Sequence, residues 1–152
     1  MSESERKRAV KRLFAAYLIA ATVPGVPAVY YGDEVGVEGY SDPFNRTPFP
    51  WHRMDEELLS HYRAVAKLRK SPVYRDGEMR LHSLENDRLI FSRIKGKQAL
   101  LTLYYNGESS LSVRLPEGAR VLLGKKAADG ILTLSSEEAA VVRMHKGDEL
   151  IL

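Results

Sequence analysis

Apolar residues recur at helical spacing over Val10, Leu13, Phe14, Tyr17, Leu18 and Ala21. Ser2 and Glu5 stand three apart in the manner of a capping box, so a helix is predicted from the start of the chain. Pro24 and Gly25 stop it. Val26 to Tyr31 is then a continuously apolar run, rich in β-branched and aromatic residues. Such a run predicts a short strand buried on both faces, as in a parallel sheet. Gly32 to Arg53 has no period and holds several glycines and prolines beside Tyr, Phe and Trp, which predicts a long, ordered loop. Asp55 to Lys70 returns to helical spacing on Leu58, Tyr62, Val65 and Arg69. Its acids come first and its bases last, matching the helix macrodipole. Ser71-Pro72 ends this second helix.

From Val73 the texture changes. Short apolar runs follow one another at Met79–Leu84, Leu89–Ile94, Ala99–Tyr105, Leu111–Leu115, Arg120–Leu123, Ile131–Leu134 and Ala139–Met144. Turn signals such as Asn106-Gly107 and Asp129-Gly130 separate them, which predicts an antiparallel sandwich. The expected class is therefore α+β. Residues 1–71 form a helix–strand–helix unit with its loop at 32–53, and residues 72–152 form an all-β domain that keeps its core contacts to itself. A single parallel-type strand is not a sheet, so Val26–Tyr31 needs neighbours from another segment or another chain.

The 152 residues suffice for one domain, or a small domain and part of another. They do not suffice for an α/β barrel of about 250 residues followed by a second domain. With 23 basic and 20 acidic residues the net charge is only +3, which argues against a nucleic-acid partner. The basic cluster Arg6-Lys7-Arg8 with Lys11 and Arg12 reads as a solvated helix face. Leu13 to Gly32 lacks charge, yet Pro24, Gly25 and Pro27 would break a spanning helix, so no membrane span is expected. No signal peptide is evident, which points to a cytoplasmic location. There is no cysteine, and His52, His61, His82 and His145 are scattered, so neither a metal nor another cofactor is expected. Few amides with many Arg and Glu lean towards a thermophilic source.

The candidate chemistry lies in the run Pro24-Gly25-Val26-Pro27-Ala28-Val29-Tyr30-Tyr31-Gly32-Asp33-Glu34 and in Asp42-Pro43-Phe44-Asn45-Arg46 with Pro50-Trp51. If Val26–Tyr31 is a barrel strand, its C-terminal end and the loop after it lie on the functional face. Asp42 and Arg46 can offer charge-assisted hydrogen bonds to a ligand, or they can pair with each other to shape the loop. Hydrolysis with two carboxylates in the nucleophile and acid roles needs them about 5–5.5 Å apart on either side of one bond. Asp33 and Glu34 are adjacent and point to opposite sides of an extended chain, so they read as loop anchors. Tyr31 and Trp51 can stack on a ligand but more often pack a loop, and Gly32 belongs to the same structural set.

These motifs closely resemble the last barrel strand and following loop of the alpha-amylase superfamily of glycoside hydrolases (family 13). Within it they are most similar to the neopullulanase, cyclomaltodextrinase and maltogenic amylase group. The order of helix, strand, loop, helix and sandwich agrees along essentially the whole chain, although Phe49 stands where the family usually has Met. The resemblance implies the end of a TIM-type (β/α)8 barrel followed by the C-terminal β-sandwich. It implies that the nucleophile and the acid/base carboxylate lie upstream, so that this chain holds no catalytic residue. It implies that Asp42 and Arg46 hydrogen-bond a glucose unit of an alpha-glucan oligosaccharide on the non-reducing side of the cleavage point. An inactive C-terminal piece of such an enzyme is the first expectation. A non-catalytic subunit that self-associates or pairs with a separate barrel chain is the alternative. A free-standing carbohydrate-binding module is a third, for which Tyr104-Tyr105 is too short an aromatic row.

Overall fold

The structure is a computed structural model that describes residues 2–39 and 41–148. Met1, Tyr40 and the last four positions of the expected 72–152 domain lie outside the described residues. Helix α1 runs Glu3–Thr22, α2 Glu56–Arg69 and α3 Pro72–Asp76. Seven strands follow among the described residues: β1 Glu78–Leu84, β2 Arg88–Lys95, β3 Gln98–Tyr105, β4 Ser110–Arg114, β5 Arg120–Leu123, β6 Ile131–Ser135 and β7 Glu138–His145. Each falls on one of the apolar runs read from the sequence.

Ser2 caps α1 in a complete capping box with Glu5. Asp55 caps α2 by accepting from the Leu58 N–H at 3.0 Å. Helix α3 was not expected. Ser71-Pro72 does end α2, but the same pair is a start signal: Ser71 accepts from the Val73 N–H and Pro72 occupies the first turn. The two long helices pack through stacked rings, Phe14 on His61 at 4.1 Å and Tyr17 on Tyr62 at 3.9 Å between centroids.

Five strands form an antiparallel sheet in the order β1-β2-β3-β7-β5, and β4 pairs with β6 in a second, smaller sheet. Side chains alternate across the central strands. Leu101, Leu103, Ala140 and Val142 meet Leu111, Val113, Leu132 and Leu134 between the two sheets. On the opposite face, Leu100 and Val141 meet Leu18 and Ala21 of α1, Val65 of α2, and Val73 and Tyr74 of α3. Strand β3 is buried on both faces because helices cover one and the small sheet covers the other.

Two sequence expectations are corrected here. The sheet domain does not keep its core contacts to itself, since the second cluster is shared with all three helices. Secondly, Val26–Tyr31 is not a buried strand. It is extended, pairs with no strand among the described residues, and leaves Val26 at 95% exposure with Val29, Tyr30 and Tyr31 also exposed. The apolar content called for a buried environment, but ladder neighbours are needed to supply one and none is found among the described residues. Among the described residues no helix is long and apolar enough to cross a membrane.

Candidate functional site

The segment from Val23 to Asp55 leaves α1, crosses the surface and returns to α2. Its inner limb is built around Gly32. A φ of +95° there is accessible to glycine, and a Cβ at this position would lie 2.8 Å from Val37 Cγ2. The Gly32 carbonyl accepts from the N–H groups of Val35 and Val37, and its own N–H donates to Glu34 Oε2 at 2.8 Å. Asp33–Val35 thereby form one 3-10 turn, with Val35 buried. Burial, and then the adjacent Glu34 charge, push the Asp33 carboxyl above its ordinary value. The Asp55 N–H donates to the Val35 carbonyl, which ties this turn to the start of α2. Arg6 of α1 donates to Asp55 Oδ2 at 3.1 Å and lies 3.6 Å from Glu38. The Leu58 N–H, followed by Arg6, holds the Asp55 carboxyl below its ordinary value despite partial burial.

The outer limb carries the polar pair. Arg46 Nε donates to Asp42 Oδ1 at 2.8 Å, and both side chains are more than half exposed (66% and 61%). The pair is thus preformed and open to solvent. The Tyr31 hydroxyl donates to the Thr47 carbonyl at 3.1 Å and bridges the two limbs. Trp51 is 72% exposed and tilts against Phe49 at 4.6 Å. Tyr30, beside Tyr31, and Phe44 are exposed as well. Between the limbs lies a cleft of about 590 Å³, lined in part by Arg6, Glu38, Thr47, Pro48 and Arg53. The fold therefore brings Tyr31, Gly32, Asp33 and Glu34 together at the base, and sets Asp42, Arg46 and Trp51 on the outer limb. An exposed carboxylate–guanidinium pair can exchange hydrogen bonds with a polyol, and exposed aromatic rings on the same loop can stack on its apolar faces.

Sequence reasoning passed over several contacts. The basic face of α1 is not simply solvated. Arg8 Nε and Arg12 Nε both donate at 2.7 Å to Glu137 Oε1 in the β6–β7 turn, where Glu137 is 5% exposed. The Arg8 bond first, and the Arg12 bond with it, hold the Glu137 carboxyl below its ordinary value. Nothing local could have announced a partner some 125 residues away. The exposed Tyr30 and Phe44 were visible only as members of an aromatic-rich stretch.

This small α+β unit, mostly antiparallel sheet, matches the C-terminal domains of alpha-amylase-type enzymes of known structure. No protein-family model matches the chain. Its relatives are nevertheless consistent: the chain belongs to the alpha-amylase superfamily, glycoside hydrolase family 13, and corresponds to the C-terminal part of its members. It is 37% identical over 99 residues to an amylopullulanase of Thermoanaerobacter thermohydrosulfuricus, a match covering 63% of this chain and 7% of the relative. It is 27% identical over 147 residues to an intracellular maltogenic amylase of Bacillus subtilis, covering 93% of this chain and 24% of the relative. The crystal structure of an Anoxybacillus alpha-amylase superposes with a TM-score of 0.76 at 26% identity, over 92% of this chain and 33% of that one. The chain thus spans less than a tenth of the amylopullulanase and about a quarter to a third of the other two.

Proposed function

We propose that this chain is the C-terminal portion of an alpha-amylase-type glycosidase that cleaves alpha-glucosidic bonds of maltodextrin, cyclodextrin or pullulan. In this reading α1, the 26–31 segment and α2 are the end of the catalytic barrel, and β1–β7 are the β-sandwich that follows it. The observation that carries the reading is the outer limb, where the Asp42–Arg46 pair stands preformed and exposed on a loop that also exposes Phe44 and Trp51. Its role is to hold one glucose unit of the substrate while carboxylates elsewhere in the parent enzyme perform the chemistry. The two carboxylates nearest in sequence fit no catalytic pairing. Glu34 is engaged by the Gly32 N–H, and Asp33 is its immediate neighbour in the same turn.

The exposed Val26–Tyr31 segment supports the same reading. Its backbone and its apolar side chains suit strands supplied by the remainder of a barrel. That remainder could be joined upstream or could be a separate chain, in which case this protein is a non-catalytic subunit. The coding sequence immediately upstream of Met1 separates the two, because an in-frame barrel makes a fragment and an independent barrel gene makes a subunit. The functional test is direct. The purified chain should release no reducing sugar from starch, pullulan or cyclodextrin. Release that is lost in Asp33→Asn or Glu34→Gln would overturn the assignment.

A further inference from the structure

Helix α1 ends without a basic residue in its last turn, so its C-terminal carbonyls and the negative end of its dipole lack a local cation. Arg93 supplies it from β2, and Arg69 of α2 meets the chain just after the helix. Arg93, in the middle of β2 and 2% exposed, donates Nη1 to the Thr22 carbonyl at 3.1 Å. Its Nε and Nη2 donate to the Gly77 carbonyl at 3.1 and 2.7 Å. Arg69, the last residue of α2, donates Nη2 to the Gly25 carbonyl at 2.5 Å and Nη1 to the Tyr74 carbonyl. No carboxylate among the described residues pairs with either guanidinium. Burial first, and the neighbouring Arg69 charge second, lower the Arg93 pKa.

A buried cation without a counter-ion is costly unless its donors are satisfied. Here the satisfying groups are all main-chain oxygens at chain reversals: the end of α1, the bend after it, α3 and the entry to β1. We infer that Arg93 and Arg69 are positioning residues: a carbonyl clamp by which the sheet domain and α2 set the direction in which the chain leaves α1 and enters the Val26–Tyr31 segment. The sheet domain thereby orients the segment that leads to the Asp42–Arg46 loop. The importance of that orientation rests on the function proposed above; the clamp itself does not.

The absence of native cysteine permits a clean test in the full chain. Spin labels at Val26→Cys and Ser110→Cys, both exposed positions, report the exit segment against the sandwich. Labels at Ala9→Cys and Ser110→Cys report α1 against the sandwich. Arg69→Met removes the donors to Gly25 and Tyr74 and keeps the apolar stem. It should roughly double the width of the Val26–Ser110 distance distribution and leave the Ala9–Ser110 distribution unchanged. Arg69→Lys, which restores one donor, should narrow it again. An unchanged Val26–Ser110 width in Arg69→Met, equal broadening of both pairs, or no recovery with lysine would each overturn the clamp. No sugar enters this measurement, so its failure is distinct from a failure of the loop to bind a glucan.

Discussion

Leu18→Ala probes whether the helices and the sheet share one cooperative structure. Leu18 is 1% exposed and sits where α1 meets Val65 of α2, Val73 and Tyr74 of α3, and Leu100 and Val141 of the sheet. Truncation removes three buried carbon atoms and leaves a cavity walled by four different elements. The residues of those walls are themselves buried, although Leu18 also borders a cavity of about 450 Å³. Buried Leu→Ala changes cost about 2–5 kcal/mol, and a site of this kind belongs near the middle, at about 3 kcal/mol. For a chain of this size each kcal/mol lowers Tm by about 2–4 °C, giving a fall of about 6–12 °C. Thermal unfolding followed by far-ultraviolet and aromatic circular dichroism is the assay. The shared core predicts one transition, shifted equally in both signals. A cost below about 1 kcal/mol would refute the reasoning. So would a two-step melt in which the sheet signal keeps its original midpoint, because the sheet domain would then stand without the helices.

Glu137 gives a pH-dependent companion experiment. Its folded pKa is lowered, so its contribution is present above its unfolded value and is lost as pH falls through the folded value. Glu137→Gln should therefore cost about 1 kcal/mol at pH 7, a charged hydrogen-bond contribution reduced by the solvent exposure of Arg8 and Arg12. In urea unfolding, the gap between variant and parent should close progressively below the ordinary carboxylate range. Gly32→Ala places a Cβ against Val37 at a positive φ, and amide exchange at Val35 and Val37 should rise on the order of tenfold while β3 and β7 are unaffected. Asp42→Ala and Arg46→Ala each remove an exposed ion pair and should change unfolding free energy by less than about 0.5 kcal/mol, as chemical denaturation can check.

Much of this molecule was legible because its local signals agree with its packing. The Ser2–Glu5 capping box, the Leu58–Tyr62–Val65 stripe and the turn-separated runs after Val73 each led to the element observed. The miss at Val26–Tyr31 has a different cause. Apolar, β-branched composition reports the environment a segment suits, and the ladder partners that would create it are not among the described residues. Helix α3 was hidden because Ser-Pro serves both to end one helix and to begin another. The Arg8–Arg12–Glu137 contact and the Arg93–Arg69 clamp are long-range, and a side chain's distant partner leaves no mark on the spacing around it. At the candidate site the motif made Asp42 and Arg46 visible, whereas their mutual bond and exposure needed three dimensions.

The central claim is that the 32–53 loop is a glucan-binding surface detached from its catalytic carboxylates. Residue-resolved nuclear magnetic resonance of the chain titrated with maltoheptaose tests it most directly. A lone subsite should bind with a dissociation constant on the order of 1–10 mM. The account predicts that chemical-shift changes cluster at Asp42, Arg46, Tyr31 and Trp51, that they vanish in the Asp42→Ala, Arg46→Ala double variant, and that the oligosaccharide stays intact. Shifts confined to the sandwich, or no shifts in the loop at sugar concentrations well above that range, would contradict it.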